Sequence, residues 1–164
     1  MKFLVFSDSH RRTSGMISAI EKHKNKCDAV IFLGDGLDDI EYIRPRYPQI
    51  AFYAVCGNCD FFSSGAEKEM MLSLDGIKIF ITHGHLYGAK GGYGRLVQEA
   101  EKRGADAVFF GHTHVPCDDV WEINGKSIRL FNPGSITAEG YYGVVNTSNG
   151  VLITNHGKIS QNIF

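Results

Sequence analysis

Apolar residues fall along this chain in short runs, each closed by a small cluster of polar residues flanked by glycine. Residues 2–6, 29–33 and 50–56 are such runs. They are too short for helices and apolar at consecutive positions, so they read as strands buried on both faces. Between the first two, residues 14–24 place Met16, Ile17, Ile20 and His23 on one side at helical spacing. Between the second and third, a short helix is expected with Asp38 as its cap and Glu41 completing a capping box, ended by Pro45 and Pro48. Strand, helix, strand, helix, strand implies parallel strands joined by right-handed crossovers.

The pattern then changes. Residues 67–74 alternate, and Asp75-Gly76 turns them back into a strand over 77–82. Residues 91–103 contain a helix with Leu96, Val97 and Ala100 inward and Gly104 as its terminator, followed by a buried strand over 107–110. Asn124-Gly125 joins 120–123 to 127–131, and Ser148-Asn149-Gly150 joins 143–146 to 151–154. No repeat, linker or low-complexity segment interrupts the series. Helices interleave early and hairpins dominate the end. This predicts an α/β fold, a four-layer α-β-β-α sandwich of two mixed sheets flanked by helices, as one domain over residues 1–164.

Composition narrows the function classes. The chain is 43% hydrophobic and 21% charged, as in soluble globular proteins. A net charge of −1 with no Lys/Arg block argues against a stable nucleic-acid complex, though not against a nucleotide substrate. No apolar run approaches the ~20 residues of a membrane span, and the N-terminus does not read as a signal peptide, so a cytoplasmic protein with no membrane partner is expected. Cys27, Cys56, Cys59 and Cys117 form no disulfide framework. Cys56 and Cys59 make a C-x-x-C, but it ends a strand rather than opening a helix and has no second pair to complete a zinc site. It reads as a core Cys56 followed by a loop Cys59.

The polar tips carry the chemistry. They are Ser7-Asp8-Ser9-His10, Gly34-Asp35, Gly57-Asn58-Cys59-Asp60, His83-Gly84-His85 and Gly111-His112-Thr113-His114. Asp8 and His10, two apart at a strand end, point the same way. In open α/β sheets, sites sit at the carboxyl ends of strands, where all these tips fall. Asp8, His10, Asp35, Asn58, His83, His112 and His114 exceed what one divalent cation takes, and suit a pair of ions roughly 3.5–4 Å apart with Asp35 as the natural bridge. The mixed N/O set suits Mn, Fe, Zn, Co or Ni better than Ca or Mg. Such a pair acidifies a bridging water to hydroxide and neutralises phosphate oxygens during in-line attack.

These motifs, in this order and spacing, resemble the calcineurin-like metallophosphoesterase superfamily. The resemblance spans residues 1 to about 135, including Asn132-Pro133-Gly134-Ser135. The Gly-Asn-Cys-Asp form is similar to the small YfcE-type phosphodiesterases, which are also relatives of the retromer subunit that keeps the fold as a scaffold. The resemblance implies a first metal held by Asp8, His10, Asp35 and His114, and a second held by Asp35, Asn58, His83 and His112. The ions would be manganese first, with nickel, zinc, iron or cobalt accepted. Many members have His where this chain has Cys59, and that His is taken to assist at the phosphate or to protonate the leaving group. The catalytic set implied is therefore Asn58 with Cys59 or His85, and the substrate a small phosphodiester. A phosphomonoesterase and a non-catalytic metal-binding scaffold are the alternatives.

Other polar residues have plainer readings. Arg11 follows His10 and can hold a phosphate, or be a solvated charge before the helix. His23 and His156 read as packing or inert, the latter in a hairpin turn. Asp38 and Asp39 read as helix caps, and Asp60 as a brace for its loop. Residues 61–65 read as a substrate rim. Tyr141-Tyr142 marks either strand core or a self-association patch of a homo-oligomer.

Overall fold

The structure, a computed structural model, describes residues 1–61 and 65–159. Phe62, Ser63 and Ser64 of the expected rim lie outside the described residues. The first sheet is built from β1 (Lys2–Phe6), β2 (Ala29–Phe32), β3 (Ala51–Ala54), β9 (Tyr141–Ser148) and β10 (Val151–Lys158). The second is built from β4 (Glu69–Leu74), β5 (Ile77–Thr82), β6 (Ala107–Phe109), β7 (Cys117–Ile123) and β8 (Lys126–Asn132). Strand orders are β10-β9-β1-β2-β3 and β4-β5-β6-β8-β7. Both sheets are mixed. β1, β2 and β3 run parallel and β9 pairs antiparallel with β1. In the second sheet β5, β6 and β8 run parallel, with antiparallel β4 and β7 at the edges.

Burial on both faces explains the unbroken apolar runs. In β1, Phe3 and Val5 point between the sheets, whereas Leu4 and Phe6 point to the helices, and all four are fully buried. The inter-sheet core joins them to Ile31, Ile79, Ile81, Phe109 and Phe131. Helix α1 (Ser14–His23) and helix α2 (Leu37–Ile43) cover the first sheet through Met16, Ala19, Ile20, Ile40 and Ile43. Helix α3 (Gly94–Lys102) covers the second through Leu96, Val97 and Ala100. Three cores therefore separate four layers. No described helix is long and apolar enough to cross a membrane.

Two sequence expectations are corrected. Asp38 does not cap α2; Gly36 occupies the cap with no side-chain bond of its own. The helix-start N–H groups of Gly36 and Leu37 instead donate to Asp60 Oδ1 at 2.8 and 2.9 Å, so an acid from another loop does the capping. His156 is not in a turn. It lies in β10, paired opposite Gly143 and stacked on Phe131 at 4.8 Å. Tyr142 is strand core, 1% exposed, with its ring against Phe6 and His23.

Candidate metal centre

β1, β2 and β3 of one sheet, and β5 and β6 of the other, bring the residues after their last positions to one shared edge. The backbone there is unusual. Asp8, His10, Arg11, Asp35, His112 and His114 all have φ between 43° and 68°. The remaining non-glycine residues of positive φ, Asp75, Asn124 and Asn149, sit in hairpin turns. Asp, Asn and His tolerate this left-handed region better than most residues. The tips also approach very closely. A Cβ on Gly111 would lie 1.8 Å from Ser7 Oγ, and one on Gly57 would lie 2.1 Å from Asp35 Oδ1. Glycine at Gly111 lets the tips of the two sheets close on one another, and glycine at Gly57 does the same for neighbouring tips of the first sheet.

Four side chains lock the loops. Asp60 accepts backbone N–H groups from Asp35, Gly36, Leu37 and Gly57 at 2.7 to 2.9 Å, as its expected bracing role requires. Asp39 accepts the Ser9 hydroxyl at 2.6 Å and the Arg11 N–H at 2.8 Å, so it fixes the Asp8 loop rather than capping a helix. Asn132 donates to Gly111 O at 2.9 Å and to Thr113 Oγ1 at 3.1 Å, while Ser135 donates to Asp8 O at 3.0 Å. His156 Nε2 in turn donates to Asn132 O at 2.7 Å. Asp39 and His156 escaped the sequence reading of the site, whereas Asn132 and Ser135 belong to the Asn-Pro-Gly-Ser loop that it included.

The donor atoms converge in three overlapping groups among the described residues. They are Asp8 with His10 and His114, His10 with Asp35 and Cys59, and Asp8 with Asp35 and His83, each with ligand atoms within 4.8 Å of one another. Asp8 Oδ1 lies 3.2 Å from His114 Nε2, and His10 Nε2 lies 3.4 Å from His114 Nε2. His83 Nδ1 donates to Leu33 O at 2.6 Å, which leaves Nε2 to face Asp35 Oδ2 at 3.5 Å. His112 places its ring 5.0 Å from His83 and donates its N–H to Asp8 Oδ2 at 3.1 Å. His85 lies beside both rings, at 5.4 Å from His83 and 6.2 Å from His112. Asn58 is exposed, with its amide nitrogen donating to Cys59 Sγ at 3.3 Å. Arg11, Asp38, Cys59 and Phe61 line a cleft of about 280 Å³ with His10 and Asp35. Of the expected site residues, His10, Arg11, Asn58 and Cys59 are exposed, His85, His112 and His114 are partly buried, and Asp8, Asp35 and His83 are buried.

The electrostatics ask for a cation. Burial pulls the Asp35 carboxyl up, but the His83 ring facing it at 3.5 Å, with the Cys59 N–H at 2.8 Å, outweighs it and holds the carboxyl well below the usual range. Burial pulls His83 down, yet Asp35 and Asp8 hold it above its ordinary value. Cys59 is pushed up to about 11 by burial and by the carboxylates of Asp35, Asp60 and Asp8. His85 and His112 are lowered, by burial first and then by His83. Asp8 Oδ1 and His83 Nε2 are buried and take no hydrogen bond among the described residues. Such orphaned acceptors beside a second carboxylate fit bound divalent metal, which would satisfy them.

Comparison with known proteins places this geometry. A family model for the calcineurin-like phosphoesterase superfamily domain matches residues 1–159. A probable metallophosphoesterase of Bacillus subtilis, YsnB, is 36% identical over 137 residues, covering 83% of this chain and 75% of that protein. The phosphodiesterase YfcE of Escherichia coli K12 is 37% identical over 92 residues, covering 51% of this chain and 44% of that protein. Among solved structures, a conserved protein of Streptococcus pneumoniae described as a predicted phosphoesterase superposes with a TM-score of 0.74 at 28% identity, covering 96% of this chain and 88% of that one. Vps29 of Chaetomium thermophilum has a TM-score of 0.73 at 16% identity, covering 97% and 95%, and shares the fold.

Proposed function

From a chain that belongs to the calcineurin-like phosphoesterase superfamily, we propose a metal-dependent phosphodiesterase with a dinuclear centre, acting on a small phosphoester. The observation that carries it is the pair of orphaned buried acceptors, Asp8 Oδ1 and His83 Nε2, grouped with Asp35 among three overlapping sets of donors. Asp8, His10, Asp35 and His114 would hold one ion, and Asp35, Asn58, His83 and His112 the other. Manganese is the first choice for these donors, and zinc, iron, nickel and cobalt also suit them. Two such ions would supply Lewis-acid activation of a water for attack on phosphorus and would neutralise the phosphoryl oxygens.

The chain's own residues do the rest. Asp60 holds the Asp35 and Gly57 backbones so that the two loops face one another. Asn58, on the solvent side, meets the incoming phosphate from the cleft. Arg11, at the rim of that cleft, pairs with a non-bridging oxygen. The departing alkoxide needs a proton, and the Cys59 thiol and His85 imidazole are the groups beside the centre that can give one. Cys59 in place of the histidine of many relatives, and the likeness to YfcE, favour a diester.

The test is hydrolysis of bis(p-nitrophenyl) phosphate and p-nitrophenyl phosphate by metal-stripped protein, before and after adding Mn²⁺. Metal-restored cleavage preferring the diester is expected. Preference for the monoester would overturn the substrate class. Metal bound at stoichiometry with no turnover of either compound would favour a scaffold, the second reading, which the fold shared with Vps29 keeps in view.

A further inference from the structure

We propose that Cys59 is itself a metal ligand, a thiolate that joins His10 and Asp35 on one ion and makes the centre selective for thiophilic metals. The inference rests on the metal-centre reading above and goes beyond it, because the ligand set implied there is made of oxygen and nitrogen alone.

The geometry carries it. Cys59 Sγ, a His10 ring nitrogen and an Asp35 carboxylate oxygen lie within 4.8 Å of one another. Two donors on one tetrahedral zinc ion, with a ~2.3 Å bond to sulfur and a ~2.1 Å bond to nitrogen, lie about 3.6 Å apart. Donor atoms within 4.8 Å of one another therefore reach a shared ion by side-chain shifts of roughly an ångström or less. His10 also belongs to the Asp8–His114 group, and Asp35 to the Asp8–His83 group, so Cys59 stands where the two groups meet. The orphaned Asp8 Oδ1, fully buried, lies 3.9 Å from His10 Nε2, a member of the same group.

Local bonds hold the sulfur there. The Cys59 N–H donates to Asp35 Oδ1 at 2.8 Å, so the backbone that carries the thiol is tied to the proposed bridging carboxylate. The Asn58 amide donates to Sγ at 3.3 Å, a bond that a thiolate accepts better than a thiol. The other cysteines are elsewhere. Cys27 and Cys56 are buried with their thiols toward the carbonyls of Ala29 and Ala66, and Cys117 belongs to no donor group among the described residues.

On coordination the S–H bond breaks, its proton leaves to solvent, and the sulfur lone pair forms the bond to the ion. A soft thiolate added to imidazole and carboxylate favours Zn²⁺, Co²⁺ or Fe²⁺ over Mn²⁺. It also withdraws Cys59 from the two candidate proton donors and leaves His85.

Cobalt reports directly on sulfur. Full-length metal-stripped protein is titrated with Co²⁺ while near-ultraviolet absorbance and bound cobalt are followed. The expected result is a thiolate-to-cobalt charge-transfer band in the wild type that is absent in Cys59→Ser, present in Cys56→Ser, and unaccompanied by loss of a whole metal equivalent in Cys59→Ser. Zn²⁺ affinity in Cys59→Ser should fall at least as far as the ~10–100-fold that loss of an outer hydrogen-bond partner produces, while Mn²⁺ affinity changes by less than about threefold. X-ray absorption of the zinc-loaded wild type, which needs no variant, should show one sulfur neighbour at ~2.3 Å. Cobalt bound without the band, or a band that survives in Cys59→Ser, overturns the thiolate and leaves the proposed function standing. No cobalt bound by the wild type overturns both.

Discussion

Asp60 is the strongest lever on this site that is not itself a proposed ligand. Its Oδ2 accepts from Asp35 at 2.9 Å and Gly57 at 2.7 Å, and its Oδ1 from Gly36 at 2.8 Å and Leu37 at 2.9 Å. Hydrogen bonds to a charged acceptor contribute roughly 1.5–3 kcal/mol each when buried. Asp60 is half-buried and the freed N–H groups would partly rehydrate, so about 1 kcal/mol per bond is the working value, or ~4 kcal/mol for Asp60→Ala. That is a large part of a domain stability of roughly 5–15 kcal/mol. Asp60→Asn is the sharper variant. Its single oxygen keeps two bonds, while its NH₂ group meets two N–H donors head-on, so a loss of ~3 kcal/mol is expected despite near-identical shape. Urea unfolding in EDTA measures this as a lower midpoint at unchanged slope. If Asp60→Asn stays within about 1 kcal/mol of wild type, the four-bond clamp does not stabilise the loops as argued.

Asp35→Asn should lower kcat/KM at least about a hundredfold and lower the bound metal, read by metal analysis beside the diester assay. Gly57→Ala places a methyl 2.1 Å from Asp35 Oδ1, and should lower stability by ~1–3 kcal/mol and weaken metal binding, seen by thermal unfolding with and without metal. Tyr47 donates to Glu21 at 2.8 Å and is pushed up to about 12 by burial and that carboxylate. An unfolded tyrosine ionises near ~10, so the unfolded state loses its proton first and stability falls as pH rises from about 10 to about 12. Tyr47→Phe should flatten that limb of the urea midpoint against pH.

Most of the frame was legible because it depends on local pattern. Phe3–Phe6 and Ala29–Phe32 are apolar at every position because parallel strands here are covered on both sides. Asp75-Gly76, Asn124-Gly125 and Asn149-Gly150 turn their hairpins with both residues at positive φ. The donor tips were legible because glycine and polar residues end each run. What escaped depends on contacts between distant segments. Asp39 looks like a cap in its own sequence neighbourhood, and only the packing of α2 against the Asp8 loop turns it toward Ser9 and Arg11. The helix start looks as though it needs Asp38 until Asp60 arrives from another loop. His156, beside Asn155 and Gly157, lacks an apolar alternation and is drawn into β10 by its ladder with β9.

The left-handed backbone at the tips bears on how such a chain can change over generations. Asp8, His10, Arg11, Asp35, His112 and His114 each hold strain of order 1 kcal/mol. Glycine would relax it at any of them and remove a side chain the site uses. Selection for a sturdier fold alone therefore pushes against the very residues that converge here. A lineage freed from turnover would drift toward losing them, gaining stability as it did so. Keeping side chains at all six positions therefore trades stability of the fold for what those side chains do at the tips.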